Sequence, residues 1–186
     1  MDKSDLTGVA ISIGPGSFTG LRIGLATAKM LSYALSIPVV AVSSLEAMAY
    51  HYPVPGVYVA SVLDAQKSNA YFALYEWNGK GFDEKKQTCV MDFEEVVKYC
   101  ATLDKPVVFV GDIAQKKAEI IAQYENVSLG LPHLCMPRAS NVAMAAKARF
   151  ENEDYDNIMD LEPVYIRRSE AEVLWEKRHG EKLTDL

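Results

Sequence analysis

A glycine-rich segment near the start of the chain has the residue types and spacing of a ligand-binding turn. Residues 13–24 read Ile-Gly-Pro-Gly-Ser-Phe-Thr-Gly-Leu-Arg-Ile-Gly and overlap the end of an apolar run at residues 8–14. A glycine-rich turn from a strand into a helix can present backbone amides to phosphate. Gly14, Gly16 and Ser17 are therefore candidate phosphate contacts, although no Gly-Lys-Ser/Thr follows as in a Walker A motif. The alternative is a tight turn in which Ser17 or Thr19 only caps the helix.

The helix predicted after this turn, at residues 21–36, carries a face of small residues. Gly20, Gly24 and Ala28 recur every four residues and so lie above one another. Glycine inside a helix costs about 1 kcal/mol relative to alanine, and close approach by another element is a usual compensation. The other positions are apolar almost all round, which indicates burial on more than one side. The second packing partner is either another element of this chain or a helix of a partner protein.

Two later turns are candidates for nucleotide contact. The sequence Asp64-Ala65-Gln66 lies at a predicted hairpin, and Val110-Gly111-Asp112 follows a predicted buried strand. In actin-like ATPases the first turn has a glycine after its aspartate, and the second has paired glycines. Here Ala65 and Gln66 would crowd a phosphate, and only Gly111 is present. These departures argue against a working ATPase and favour a surface hairpin and a helix N-cap at Asp112.

The sequence predicts no catalytic residue and no metal site. No His-x-x-x-His or Cys-x-x-Cys spacing occurs, and the histidines are scattered at His51, His133 and His179. The three cysteines are also widely spaced: Cys89, Cys100 and Cys135. An odd, dispersed set favours free thiols in a reducing cytoplasm over a disulfide framework.

Composition and charge narrow the class of protein. The 186 residues are 49% hydrophobic and 24% charged, which is typical of a globular protein, and no apolar run is long enough to span a membrane. The net charge of -6 falls within residues 151–186, which carry 5 Lys/Arg and 11 Asp/Glu. An acidic chain without a basic block is a poor candidate for holding nucleic acid alone. Arg167 and Arg168 could meet RNA phosphates, but among these acids they are expected to be ion-paired or solvated.

Turn signals divide the predicted elements at Pro53, Pro55 and Gly56. Ahead of this boundary the pattern gives a strand, the glycine-rich helix, a second strand and a helix capped by Ser43. Beyond it the predicted order is β-β-β-α-β-α, which is the unit of ribonuclease-H-like and actin-like folds. The elements of this second unit are expected at residues 57–64, 69–77, 82–91, 92–103, 106–110 and 113–124, followed by a short strand at 127–131 and helices at 140–152 and 169–179.

The glycine-rich segment closely resembles the signature of the bacterial TsaB (YeaZ) family. The resemblance continues through Ile37-Pro38 and the segment Val-Ser-Ser-Leu-Glu-Ala at residues 42–47. Weaker landmarks follow in the family's order at residues 64–65, 110–112 and 162–167. This family is similar to the TsaD/Kae1 proteins, once labelled glycoproteases. The resemblance implies an α/β, two-lobed actin-like fold in which the first three strands and the first helix of the N-terminal lobe are missing.

Membership would make the chain a non-catalytic partner in tRNA modification. In that family the complex places threonylcarbamoyl on the adenosine beside the anticodon of tRNAs that read codons beginning with A. The resemblance implies binding to TsaD, contact with TsaE through the TsaD-containing complex, a homodimer when TsaD is absent, and tRNA contact only through the complex. The chain itself would need no cofactor, because ATP and metal are expected on the partner proteins. The alternative is an enzyme, either an actin-like ATPase or phosphotransferase or a metallopeptidase.

The resemblance also implies a division of the chain and a partner surface. Residues 1–55 would be the remnant of the N-terminal lobe, residues 56–168 the C-terminal lobe, and residues 169–186 a terminal helix or tail. The family's TsaB–TsaD contact is a helical bundle to which the glycine-rich helix would contribute. The residues expected at that interface are Phe18, Gly20, Leu21, Gly24, Leu25, Ala28 and Leu31.

Overall fold

The first part of the chain folds into a small βαβ unit. The computed structural model describes residues 2–166, so Arg167, Arg168 and the helix predicted at 169–179 lie outside the described residues. Strand β1 (Val9–Ser12) leads through the glycine-rich turn into helix α1 (Phe18–Leu35) and then strand β2 (Val39–Val42). The two strands pair in parallel, with Val9 opposite Val39. Helix α2 (Ser44–Ala49) follows, and the Ser43 hydroxyl caps it by accepting from the Leu45 amide.

The second part of the chain forms a five-stranded mixed sheet, which confirms the predicted β-β-β-α-β-α order. The sheet order is β5-β4-β3-β6-β7, with β3 antiparallel to β4 and parallel to β6. Strand β4 has the bounds that the sequence predicts, because Asn78-Gly79 forms the turn after it. The elements are β3 (Tyr58–Asp64), β4 (Asn69–Trp77), β5 (Phe82–Asp92), α3 (Phe93–Ala101), β6 (Val107–Val110), α4 (Asp112–Lys116), α5 (Ala118–Ile121) and β7 (Val127–Leu129).

The helix predicted at residues 113–124 is divided into α4 and α5. Lys117 breaks it with φ −121° and ψ 37°, outside the helical region. The prediction that Asp112 is the N-cap is also wrong, because Gly111 occupies that position and Asp112 is the first helical residue. Asp112 still caps locally, since its Oδ1 accepts from the Ile113 amide at 2.8 Å.

Helix α6 (Ala139–Glu151) returns the chain to the first sheet. Its buried residues Val142, Ala145 and Ala146 pack against Val40 and Val42 of β2. The segment after it also covers β2, because the Asp156 amide donates to the Val39 carbonyl at 3.0 Å. Helix α6 and the segment after it therefore pack on the first sheet, and the division of the chain into lobes at 1–55 and 56–168 stays a prediction. Sequence periodicity could not reveal this, since it does not say which sheet a helix packs on.

The outer edge of β2 is closed by two side chains from this returning segment. The Ala41 amide donates to Asp156 Oδ2 at 2.7 Å, and Arg149 Nη1 donates to the Ala41 carbonyl at 3.1 Å. Arg149 Nη1 also contacts Asp156 Oδ2 at 3.0 Å, which fixes both groups. A strand edge that would otherwise expose unpaired backbone groups is thereby satisfied.

Replacing Asp156 with alanine is expected to lower the free energy of unfolding by about 1–3 kcal/mol, because it leaves the Ala41 amide without its acceptor. Asp154→Ala is the matched control: it removes the other carboxylate paired with Arg149, but no backbone partner, and Asp154 is solvated. We expect that control to change the urea midpoint much less. Equal midpoints for the two variants would show that the cap on Ala41 contributes nothing to stability.

Candidate functional site

The glycine-rich turn is held by contacts within the chain. Gly14 has a φ of 111°, and a Cβ on it would lie 3.2 Å from the Val164 carbonyl oxygen. Its carbonyl accepts from the Ser44 amide at 2.8 Å, and the Ile13 carbonyl accepts from the Val164 amide at 2.8 Å. The turn therefore needs glycine at position 14 because the returning segment passes close to its backbone.

The start of α1 is also occupied by groups of this chain. Ser17 is the N-cap and accepts from the Gly20 amide at 3.3 Å, which confirms the capping prediction. Arg22 lies over the Phe18 ring, with 4.0 Å from Cζ to the ring centroid, and its Nε donates to the Tyr165 hydroxyl at 2.9 Å. Of the three residues predicted to contact phosphate, Gly14 is buried while Gly16 and Ser17 are exposed. Phosphate binding at this turn stays a prediction.

The small-residue face of α1 packs inside its own lobe. Leu25 and Ala28 are 5% and 3% exposed, and a Cβ on Gly24 would lie 3.4 Å from Ile11 Cδ1 of β1. The close neighbour of Gly24 is thus the chain's own sheet, and the packing partner of the other side of α1 stays a prediction. Contact with a partner stays a prediction; of the residues expected there, Leu25 and Ala28 are buried and Gly24 is half-buried. Of the other expected interface residues, Phe18, Gly20 and Leu31 are exposed and Leu21 is half-buried.

The opposite face of α1 is apolar and open. Ile23 and Met30 are 64% and 63% exposed and lie two helical turns apart on α1. A shallow groove runs along this face, lined by Ala26, Thr27, Met30, Leu31 and Ala34. Large exposed side chains that adjoin a groove are typical of a docking surface. The sequence contains the signal, since residues 23, 27, 30 and 34 share helical spacing, but the all-round apolar pattern does not say which face is covered.

The turn that resembles a nucleotide site is closed by an ion pair. Lys116 Nζ lies 2.8 Å from Asp64 Oδ2 and 3.3 Å from Asp112 Oδ2. The Gln66 amide donates to Asp64 Oδ1 at 2.8 Å, and the Asp64 amide donates to Asp112 Oδ1 at 2.9 Å. The hydrogen bond from Lys116 is the main reason that the pKa of Asp64 is lowered. Each carboxylate is thus already occupied by groups of this chain.

Glu46 of α2 is a half-buried carboxyl to which sequence reasoning assigned no role beyond the start of its helix. Burial raises the pKa of Glu46, and the nearby carboxylate of Glu84 raises it further. The pKa of Tyr75 is also raised, chiefly by burial and then by Glu84.

No group of three His, Cys, Asp or Glu side chains within residues 2–166 is placed to hold a metal ion. None of the helices in this described part is long and apolar enough to cross a membrane.

His51 ties α2 to the loop before α6. Its Nε2 donates to the Met136 carbonyl at 3.0 Å, so its Nδ1 accepts from the Asn141 amide group, also at 3.0 Å. Burial is the main cause of the lowered pKa of His51, and the neighbouring charges of Arg138 and His133 act in the same direction. Folding therefore favours the neutral form of this imidazole.

Acid should weaken the fold through His51. An unfolded histidine protonates near its ordinary pKa of about 6.5, whereas folded His51 resists, so stability is lost as the pH falls below about 6.5. His51→Gln keeps a donor for Met136 without titrating, and should lose less melting temperature than the wild type between about pH 7.5 and 5. His133→Gln removes one of the charges that lower the pKa of His51 and should therefore reduce this pH dependence only in part. An unchanged pH dependence in His51→Gln would contradict this assignment.

Comparison with solved structures identifies the fold class of the chain. The fold matches YeaZ from Pseudomonas aeruginosa with a TM-score of 0.73 and 24% identity, over 88% of this chain and 75% of that chain. A second structure, described as similar to that YeaZ, matches with a TM-score of 0.74 and 25% identity. The architecture is thus the α/β actin-like, ribonuclease-H-like fold that the sequence predicts.

Sequence comparison then gives the family. The family described as TsaD, tRNA N6-adenosine threonylcarbamoyltransferase, matches residues 1–175. The tRNA threonylcarbamoyladenosine biosynthesis protein TsaB of Bacillus subtilis is 31% identical over 94% of this chain and 76% of its own length. TsaB of Escherichia coli is 28% identical over 96% of this chain and 77% of its own length. The chain belongs to the TsaB (YeaZ) family.

Proposed function

We propose that this chain is a non-catalytic partner subunit of the complex that forms threonylcarbamoyladenosine beside the anticodon of tRNAs reading codons that begin with A. Its relatives are named as TsaB, a tRNA threonylcarbamoyladenosine biosynthesis protein. Its direct partner in this proposal is TsaD, and TsaE joins through the TsaD-containing complex. The setting is the cytoplasm, where tRNA is modified.

The observation that carries this proposal is the open apolar face of α1. Ile23, Met30 and Leu31 are each more than 40% exposed, and Met30 and Leu31 line one groove. A helix face of this kind fits the apolar face of another helix, with contacts repeating every three or four residues. The opposite face is already used by the chain's own sheet, so α1 can join a partner helix without unfolding its lobe.

The occupied turn at Asp64 supports a non-catalytic role. At this turn Lys116 is already paired with two carboxylates, and a phosphate would meet the exposed side chain of Gln66, whereas Ala65 is buried. Nucleotide and metal are therefore assigned to the partner proteins. The net charge of -6 also suits a subunit that reaches tRNA only through its complex.

Reconstitution tests this proposal. Added to TsaD and TsaE of the same organism, the chain is expected to raise threonylcarbamoyl incorporation into tRNA well above the level without it. Alone it should hydrolyse neither ATP nor peptide above background. The rival proposal, an actin-like phosphotransferase or metallopeptidase, predicts turnover by the isolated chain. ATP hydrolysis that Asp64→Asn abolishes would replace the partner role with an enzymatic one.

A further inference from the structure

The turn between β4 and β5 contains two neighbouring residues that can react with each other. Asn78 is followed by Gly79, and no other asparagine of the sequence precedes a glycine. The backbone nitrogen of the residue after an asparagine can attack the side-chain Cγ atom and close a five-membered ring, an intramolecular reaction that needs no encounter of two molecules. Glycine favours this closure because it has no side chain to hinder the ring. At Gly79 the space is open, since no heavy atom lies within 4 Å of an added Cβ.

The Gly79 amide is not used by the hairpin. The loop is closed instead by the Asn78 amide, which donates to the Gly81 carbonyl at 3.0 Å. Among residues 2–166 the Gly79 amide has no hydrogen-bond acceptor. Its nitrogen can therefore act as a nucleophile without breaking a hydrogen bond of the β4–β5 ladder.

The Asn78 side-chain amide is held and polarised by its neighbours. Its Oδ1 accepts from the Lys80 amide at 3.0 Å and from the Gly81 amide at 2.9 Å. Attack on Cγ places negative charge on this oxygen, and two backbone donors stabilise that charge as they do in an oxyanion hole. The Nδ2 atom donates to Asp83 Oδ1 at 2.7 Å, which fixes the side chain in one orientation. The carbonyl that is attacked thus already has both donors that its charged form needs.

We propose that Asn78 is a site of spontaneous deamidation in the folded protein. A base in the solvent takes the proton of the Gly79 amide as its nitrogen bonds to Asn78 Cγ. The bond from Cγ to Nδ2 then breaks, and Nδ2 takes a proton from water and leaves as ammonia. Water next opens the cyclic imide at either of its two carbonyl carbons, which gives aspartate or isoaspartate at position 78. One amide and one water thus become one carboxyl group and one ammonia, and no enzyme or redox partner is required.

The product replaces an attraction within the turn by a repulsion. A carboxylate at position 78 still accepts from the Lys80 and Gly81 amides, but it has no N–H group to donate to Asp83. Two carboxylates then stand where a donor and an acceptor lie 2.7 Å apart in the unmodified chain. Like charges at such a distance destabilise a cross-strand contact, so deamidation is expected to loosen this end of the hairpin.

Deamidation would also act on the contact between this hairpin and α2. Trp77 and Phe82 stand opposite each other at the end of the ladder, beside the turn. Both rings contact Tyr50 at the end of α2, with centroid distances of 6.0 and 5.1 Å. Isoaspartate adds one atom to the backbone of the turn, and the length of a turn sets the register of its strands. This aromatic contact is therefore expected to weaken as the site reacts.

Peptide mapping of the full chain tests this inference, which does not rest on the proposed function. The folded protein is kept at neutral pH, sampled over time and cut with trypsin, which releases residues 68–80 as one peptide. Asn69 lies in the same peptide and is an internal control, because it precedes an alanine. Fragment masses should show conversion of Asn78 at least about tenfold faster than that of Asn69. An Asn78 that stays intact in the folded chain but converts in urea would overturn the proposal, because the turn would then protect it.

Asn157 separates the role of glycine from that of the hydrogen bonds. Its Oδ1 accepts from the Met159 amide at 3.0 Å, and its Nδ2 donates to Asp160 Oδ2 at 2.7 Å. These contacts resemble those of Asn78, but the next residue is an isoleucine, so Asn157 should convert slowly. Gly79→Ala should likewise slow the conversion of Asn78 by about tenfold or more. Equal rates at the two asparagines, or an unchanged rate in Gly79→Ala, would contradict the proposed ring closure.

Exchanging the two partners tests the effect on the hairpin. Asn78→Asp reproduces one product and should lower the urea midpoint of unfolding. Adding Asp83→Asn restores a side-chain amide that donates to a carboxylate across the turn, so the double variant should recover most of the lost midpoint. An Asn78→Asp variant as stable as the wild type would show that the turn tolerates both carboxylates, and the proposed loosening would then be wrong.

Discussion

Replacing Gly111 with alanine is expected to destabilise the fold by more than about 4 kcal/mol, the largest effect of any substitution considered for this chain. Gly111 lies between β6 and α4 with a φ of 137°, which L side chains rarely adopt. A Cβ at this position would lie 1.6 Å from the Val62 carbonyl oxygen of β3 and 3.0 Å from Met48 Cε. The added methyl group therefore forces apart β3 and the start of α4, in the buried centre of the molecule. Urea unfolding followed by circular dichroism measures the loss.

Gly79→Ala separates the two causes of this effect. Gly79 also has a positive φ, 96°, but no heavy atom lies within 4 Å of its added Cβ. It should lose only the cost of the backbone conformation, about 1–2 kcal/mol. Similar urea midpoints for the two variants would show that β3 yields to the methyl group and that the close approach at Gly111 is unimportant.

Local patterns explain why the strands could be predicted from the sequence. The turn Asn78-Gly79 sets the end of β4, and glycine or proline bounds most other strands, so their limits are local properties. The cap at Ser17 follows in the same way from the residue type beside a helix start. Gly111 after β6 can be recognised as a turn residue from the sequence. The need for glycine there cannot, because only the fold brings the Val62 carbonyl against it.

The face of α1 that packs inward could not be predicted, for a physical reason. Gly24 and Ala28 permit close approach equally well by a sheet of the same chain or by a partner helix. The apolar pattern of the helix does not distinguish these two packing partners. The structure decides it through Ile11, which is thirteen residues earlier and in a different element. The contacts of Asp156 and Arg149 with the edge of β2 could not be predicted either, because acidic residues after a helix are usually solvated.

Replacing Met30 with aspartate is expected to weaken binding to TsaD by about a hundredfold or more, provided that the open face of α1 is the contact surface. Met30 is 63% exposed and lines the groove, so the fold loses little when its side chain changes. In a complex the carboxylate would be buried against apolar groups without a partner, at a cost of several kcal/mol. A loss of about 3 kcal/mol corresponds to a factor of about a hundred in the dissociation constant.

Met144→Asp provides a control of the same chemistry in a different place. Met144 is on α6 and is 53% exposed, but it lies outside the groove of α1. Calorimetric titration of both variants against TsaD, with circular dichroism of each variant alone, separates a lost contact from a lost fold. A folded Met30→Asp variant that binds poorly, beside a Met144→Asp variant that binds normally, locates the partner surface on α1. Normal binding by Met30→Asp moves that surface elsewhere, because an unpaired carboxylate at the centre of an apolar helix contact cannot be accommodated without a measurable cost.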